Sequence, residues 1–201
     1  MAHTGRGVRA GTSCSLLFQR HQVHNVRVRV RDDRHRRAQD CILPTVEWML
    51  GAAIGAGAAV VYGNLMEWCI HKHILHGKRF GKKKGTFWAF HWGDHHKTCR
   101  KNGNRDSSYD ELRFTWNELL GLLFGGLIHL PLAFLWPSFY VGLVLYMAGY
   151  WYFHRKSHVD VEWGKRWMPG HYFHHMGRNQ DTNWNIFLPL FDKIFGTRTL
   201  K

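Results

Sequence analysis

Acidic residues, cysteine and proline are all scarce in this chain. Its 201 residues include 14 Asp and Glu against 28 Lys and Arg, with four Cys and five Pro. Cys14, Cys41, Cys69 and Cys99 form no close-spaced pair. That spacing excludes a zinc ribbon and argues against a small disulfide-stapled frame. Charge is nearly missing from two stretches: residues 46–70 carry only Glu47 and Glu67, and residues 114–153 only Glu118. A nucleic-acid binder that is basic along its whole length would not be divided in this way, so no nucleic-acid partner is expected. The 45% of hydrophobic residues excludes disorder throughout. Within residues 1–40 the only apolar patch is Leu16-Leu17-Phe18, too short for a secretory signal.

What is present falls into two parts. Residues 1–44 read as a basic, disordered tail that need not belong to the mature protein. Residues 45–201 read as an all-α membrane domain. Residues 45–70 predict one spanning helix, long enough at about 1.5 Å per residue to cross a core of about 30 Å. Gly51, Gly55, Ala59 and Gly63 recur along it every fourth residue, a small-residue stripe that permits close approach of another helix. A second apolar run covers 119–135, with Thr115 and Glu118 as a capping box at its start. Trp136-Pro137-Ser138 reads as a turn, and 139–153 as a third run ending in Trp151, Tyr150 and Tyr152, where an interfacial aromatic belt would sit. Both later runs are short, which suits a tilted or partly submerged hairpin.

Three crossings put 71–113 and 154–201 on one side. The first carries eleven basic and four acidic residues, the second eight and four, so that side is expected to be cytoplasmic. The nine Arg of residues 1–40 would then lie opposite, a conflict that disappears if the tail is removed.

Histidine is the abundant residue, 16 in all. His3, His21, His24 and His35 are scattered in the tail, and His129 stands alone inside the second apolar run. The rest cluster directly after apolar segments, on the one expected side. Residues three or four apart share a helix face. His91 with His95, His154 with His158, and His171 with His174 and His175 would therefore each point one way. His71 and His76 are five apart and a regular helix would splay them by about 140°, so they converge only if the helix ends or distorts near Gly77. His73 with His76 is the better-spaced pair. Neutral imidazole is a common ligand of first-row transition metals, and about ten of them suggest two ions.

In combination these boxes resemble the fatty acid hydroxylase superfamily, which includes the sterol desaturases: His71–His76, His91–His95-His96, His154–His158 and His171–His174-His175. Glu67-Trp68 resembles the family's acidic-aromatic lead-in, and residues 183–197 the segment after its last box. The first two boxes are also similar to those of beta-carotene hydroxylases. Family members typically have four membrane helices, where this chain shows three apolar segments.

The resemblance implies an integral-membrane oxidoreductase. Two iron ions would be held by His71, His76, His91, His95, His96, His154, His158, His171, His174 and His175, at the cytoplasmic membrane boundary. O₂ would be co-substrate, and electrons would come from a separate reductase or small redox carrier. The substrate would be a lipid, hydroxylated or desaturated at an unactivated C–H bond. Glu67, His73 and Asp94 are expected to support the ligands from behind. A carotenoid hydroxylase and a non-enzymatic membrane metal carrier stand as alternatives. The basic stretch 78–84 suits anionic headgroups or an acidic electron donor.

Overall fold

The computed structural model describes residues 45–110 and 116–200. The expected tail over 1–44, and Thr115 of the expected capping box, lie outside them. The chain divides into two compact units, Met1–Leu50 and Gly51–Lys201. The second holds all the His boxes and their packing.

The described residues are helical and contain no strand. Helix α1 spans Thr45–Leu75, followed by α2 (His96–Lys101), α3 (Trp116–Ile128), α4 (Leu132–Leu135), α5 (Pro137–Val159), α6 (Val161–Trp167), α7 (Pro169–Met176) and α8 (Leu190–Ile194). Helix α1, at 31 residues, is long and apolar enough to cross a membrane; among the described residues no other helix meets both conditions, and the apolar α3 has only 13 residues.

The second apolar run is not one helix. It breaks after Ile128 and resumes at Leu132. Pro131 carries no N–H, and its ring disfavours a helical conformation in the residue before it. The expected turn at 136–138 also shifts. Pro137 is the first residue of α5, where its missing N–H costs nothing, and Trp136 alone bends the chain.

The small-residue stripe of α1 packs on α5. A Cβ on Gly55 would meet Ser138, one on Gly63 would sit 2.7 Å from the Tyr146 ring, and one on Gly142 would sit 2.9 Å from the Ala59 Cβ. Ala59, Phe139 and Leu143 form the buried apolar core of this seam. Gly51 faces open space and takes no part. The contacts advance by four residues on both helices and in the same direction, so α1 and α5 run parallel and in step. That brings the C-terminal ends of both helices, each carrying His, to one end of the bundle.

The outer faces of the same helices stay apolar and exposed: Ile54 and Val61 on α1, Leu123, Phe124 and Leu127 on α3, and Val141 and Leu145 on α5. The segment after α7 closes over the His-bearing end. There Asp192 is buried and accepts from the Trp184 N–H at 2.9 Å, the Asn185 N–H at 2.8 Å and the Thr197 hydroxyl at 2.6 Å. Asn185 donates to the Asn64 carbonyl at 2.8 Å, tying this segment back to α1.

Candidate metal centre

The last five residues of α1, His71–Leu75, form a π-helical turn. The His76 N–H bonds the His71 carbonyl five residues back, at 3.0 Å. A π turn puts residues five apart on one face, and this is the distortion that lets His71 and His76 converge. Glycine makes the exit possible: a Cβ on Gly77 would lie 1.9 Å from the His73 carbonyl, and one on Gly81 1.7 Å from the Leu75 carbonyl. A second π turn, His91–His95, precedes α2 and brings His91 and His96 together in the same way. π turns of this kind are frequent at functional sites.

The ten expected histidines are buried and lie in groups whose ring nitrogens fall within 4.8 Å of one another. His71, His76, His91, His96 and His174 form one cluster. His95, Cys99, His158 and His175, and His154, His158, His171 and His175, form two overlapping groups that make a second. The division runs through the sequence boxes. His95 and His96 face different clusters, as do His174 and His175, because neighbours on a helix point about 100° apart. The expected partnership of His91 with His95 is thus replaced by His91 with His96. His174 likewise parts from His171 and His175.

The supporting residues differ from expectation. His73 is exposed and packs edge-on to Trp68, because the π turn carries it to the outer side. Asp94 is exposed, since it precedes His95 by one residue and so points elsewhere. Glu67 is buried, but it accepts from the Tyr146 hydroxyl and the Ile186 N–H. It braces α1 against α5 and the closing segment rather than holding a histidine.

The groups behind the imidazoles are others. His71 Nδ1 donates to the Trp184 carbonyl at 2.6 Å, His174 Nδ1 to the Thr182 carbonyl at 2.7 Å, and His158 Nδ1 to the Asn104 carbonyl at 2.9 Å. Asn104 reaches this position through a left-handed turn, φ +76°, which Asn tolerates. His95 Nδ1 donates to Asp106 at 2.8 Å, His154 Nδ1 to Glu118 at 2.7 Å, and His76 Nδ1 to Asp181 at 3.3 Å. The Gln180 amide lies 2.8 Å from His96 Nδ1. One signal for Glu118 was legible: it is the only charge in 114–153. The backbone carbonyls leave no trace in a sequence.

The bonds to oxygen fix six tautomers. Carbonyl and carboxylate oxygens only accept, so Nδ1 of His71, His76, His95, His154, His158 and His174 carries the proton and Nε2 presents a lone pair inward. The inward nitrogens meet: His71 Nε2 lies 3.0 Å from His91 Nε2, and His96 Nε2 lies 3.1 Å from His76 Nε2 and 3.2 Å from His174 Nε2. The lone pairs of His71, His76 and His174 gather in this one cluster and repel unless positive charge lies among them. Protons are a poor source of it. Burial, reinforced by the neighbouring imidazoles, holds His76, His91, His96, His171 and His175 well below the ordinary range, and burial pulls His174 down to about 4. Several ring nitrogens, His95 Nε2, His154 Nε2 and both of His175, find no protein partner. Buried polar atoms rarely go unpaired. A donor set of imidazoles aimed at one another, six of them held from behind by an oxygen, fits a pair of divalent first-row ions, iron among them. Cys99 lies 3.4 Å from His158 Nδ1, but burial pushes its thiol up, so it is not a ready thiolate ligand.

Residues 56–197 match the model of the fatty acid hydroxylase family. The chain belongs to that family. Comparisons with curated proteins and with solved structures gave no match. Membership and the His clusters together point to an oxidoreductase of the lipid hydroxylase or desaturase type, with iron as a fitting metal.

In this fatty acid hydroxylase family member a cavity of about 480 Å³ lies among α1, α3 and α5, within the range typical of ligand pockets. Its walls are mostly apolar, among them Met66, Ile70, Leu122, Phe124, Ile128, Leu143 and Met147. Three of its lining residues, His71, His91 and His154, belong to the clusters, two to the first and one to the second.

Proposed function

We propose that this protein is a membrane-embedded lipid hydroxylase or desaturase with two irons, one in each His cluster. His71, His76, His91, His96 and His174 would hold one ion, and His95, His154, His158, His171 and His175 the other. When bound, such a pair supplies an oxidant, made from O₂ and two electrons from a separate reductase or redox carrier, strong enough to break an unactivated C–H bond. The protein's own part is positioning. The carbonyls and carboxylates behind His71, His76, His95, His154, His158 and His174 hold their Nε2 lone pairs inward. The apolar cavity seats a lipid chain, excludes water and presents one carbon to the edge formed by His71, His91 and His154.

The observation that carries this reading is that one apolar cavity opens on both clusters. The exposed apolar faces of α1, α3 and α5 support a bilayer setting from which the chain enters, with α1 as a spanning helix. The basic segments flanking the clusters support a cytoplasmic site. Metal carriage is less well supported. A carrier needs ligands near the midplane, and both nitrogens of the deep His129 are already engaged, by the Gly125 carbonyl and the Tyr62 hydroxyl.

The test is iron content and lipid products of the purified protein supplied with O₂ and a reductant. The expected result is close to two irons per chain and lipids heavier by one oxygen or lighter by two hydrogens; His174→Ala should lose the iron of the first cluster and all product. Turnover of a lipid under strictly anaerobic conditions, or product formation without bound metal, would overturn the reading.

A further inference from the structure

The cavity has two ends of different chemistry. One is the His edge. The other holds Tyr62 and His129, which line it beside the apolar Ile128, Leu143 and Met147. Tyr62 precedes His71 by nine residues of α1, about 13 Å along the helix. His129 follows Glu118, the partner of His154, by eleven residues, about 16 Å if α3 is extended through it. Two independent helical rulers therefore place the polar pair about 13–16 Å from the His edge.

The pair has a fixed polarity. His129 Nδ1 lies 2.7 Å from the Gly125 carbonyl, which can only accept, so Nδ1 carries the imidazole proton. With the proton on Nδ1, Nε2 is the acceptor, and the Tyr62 hydroxyl, 2.8 Å away, donates to it. The Tyr62 proton is thereby committed. Its oxygen keeps lone pairs, with no other partner among the described residues. A polar pair half-buried between apolar helices and open to a cavity is a functional feature more than a packing one, because polar groups in such a setting are costly.

The geometry points to a hydroxyl-recognition site: Tyr62, oriented by His129, accepts a hydrogen bond from an O–H at the far end of the substrate. The substrate class is then a lipid alcohol whose hydroxyl lies about 13–16 Å from the carbon presented to the His edge. This rests on the reading that the cavity seats the lipid. A carboxylate or an ether at that end finds no donor. His129 is a positioning residue and Tyr62 the group that touches substrate.

The test is displacement of a fluorescent alkyl-chain probe from the full-length protein in phosphatidylcholine nanodiscs by 1-tetradecanol, its methyl ether and tetradecane. Ratios between wild type and variants cancel partition of each ligand into lipid. In wild type the alcohol should displace the probe roughly fivefold better than the ether, the worth of one net hydrogen bond. Tyr62→Phe should abolish that ratio and leave tetradecane unchanged. His129→Leu frees the Tyr62 proton to donate, so the ether should rise to within about twofold of the alcohol; a merely structural link between α1 and α3 would not produce that reversal. Equal displacement by alcohol and ether in wild type, or a preference that survives Tyr62→Phe, would overturn the inference while leaving the enzyme reading intact. Met147→Trp fills the cavity and should weaken all three ligands. If it changes none of them, the lipid sits elsewhere, and the cavity reading fails along with the inference built on it.

Discussion

His71 and His154 stand at the same height in the bundle, each eight residues beyond the point where Gly63 of α1 meets Tyr146 of α5. The parallel seam is what brings the first and third His boxes together. A side chain at Gly63 would strike the Tyr146 ring and displace the hydroxyl that bonds Glu67. Gly63→Leu is expected to cost roughly 1–3 kcal/mol and to lower iron content, read by thermal unfolding and elemental analysis. Gly51→Leu, with nothing near its Cβ, should match wild type in both.

The separation of His95 from His96 makes a stoichiometric prediction. Alanine at either position should remove about half of the bound iron and leave the other half in place, because each change strips one cluster only. The double variant should bind almost none. Loss of all metal from one single change would show that the two clusters do not fill independently.

Glu118 holds His154 Nδ1 at 2.7 Å with both groups buried. Glu118→Gln keeps the shape and loses the charge, and should weaken metal affinity by about 10–100-fold in a chelator competition. Asp94→Asn should leave affinity unchanged, since Asp94 is exposed. Equal effects at the two positions would contradict the assignment of Glu118 as the group behind His154.

Acid should destabilise the metal-free protein. Burial keeps His76, His91, His96, His171 and His175 neutral in the fold and lowers His174 to about 4, whereas an unfolded chain takes up protons on His below about pH 6.5. The unfolded state then binds more protons, so stability falls as pH falls. It is full above pH 6.5, declines through the window between 6.5 and about 4, and levels off only below the folded values. Unfolding midpoints between pH 8 and 5 would show the decline; a midpoint that is flat or rises towards pH 5 would refute it.

The π turns predict intolerance at the glycines that end the first one. Gly81→Ala would place a Cβ 1.7 Å from the Leu75 carbonyl, so the chain must move and take His76 with it. A loss of roughly 1–3 kcal/mol is expected, together with impaired binding in the first cluster. Gly85→Ala meets open space but sits at φ +79°. It should cost only its backbone strain and leave metal content unchanged.

Much of this protein was legible in the residues themselves. The identity of the ten clustered histidines, the uncharged stretches and the small-residue stripe are local properties. Residue type and spacing determine them, because an imidazole is a ligand wherever it sits and a glycine every four residues lies on one helix face. What tertiary structure alone decided is which imidazole meets which. Spacing by three and four paired His91 with His95 and made His73 the partner of His76, whereas two π turns and the hundred-degree step between neighbours sort the boxes into different clusters. The groups behind the imidazoles were equally hidden: Asp106, Glu118, Asp181 and three carbonyls come from distant turns and hold no fixed spacing to the rings they bond. The cavity was hidden too, since it exists only between helices, and its polar end joins Tyr62 to a histidine 67 residues away.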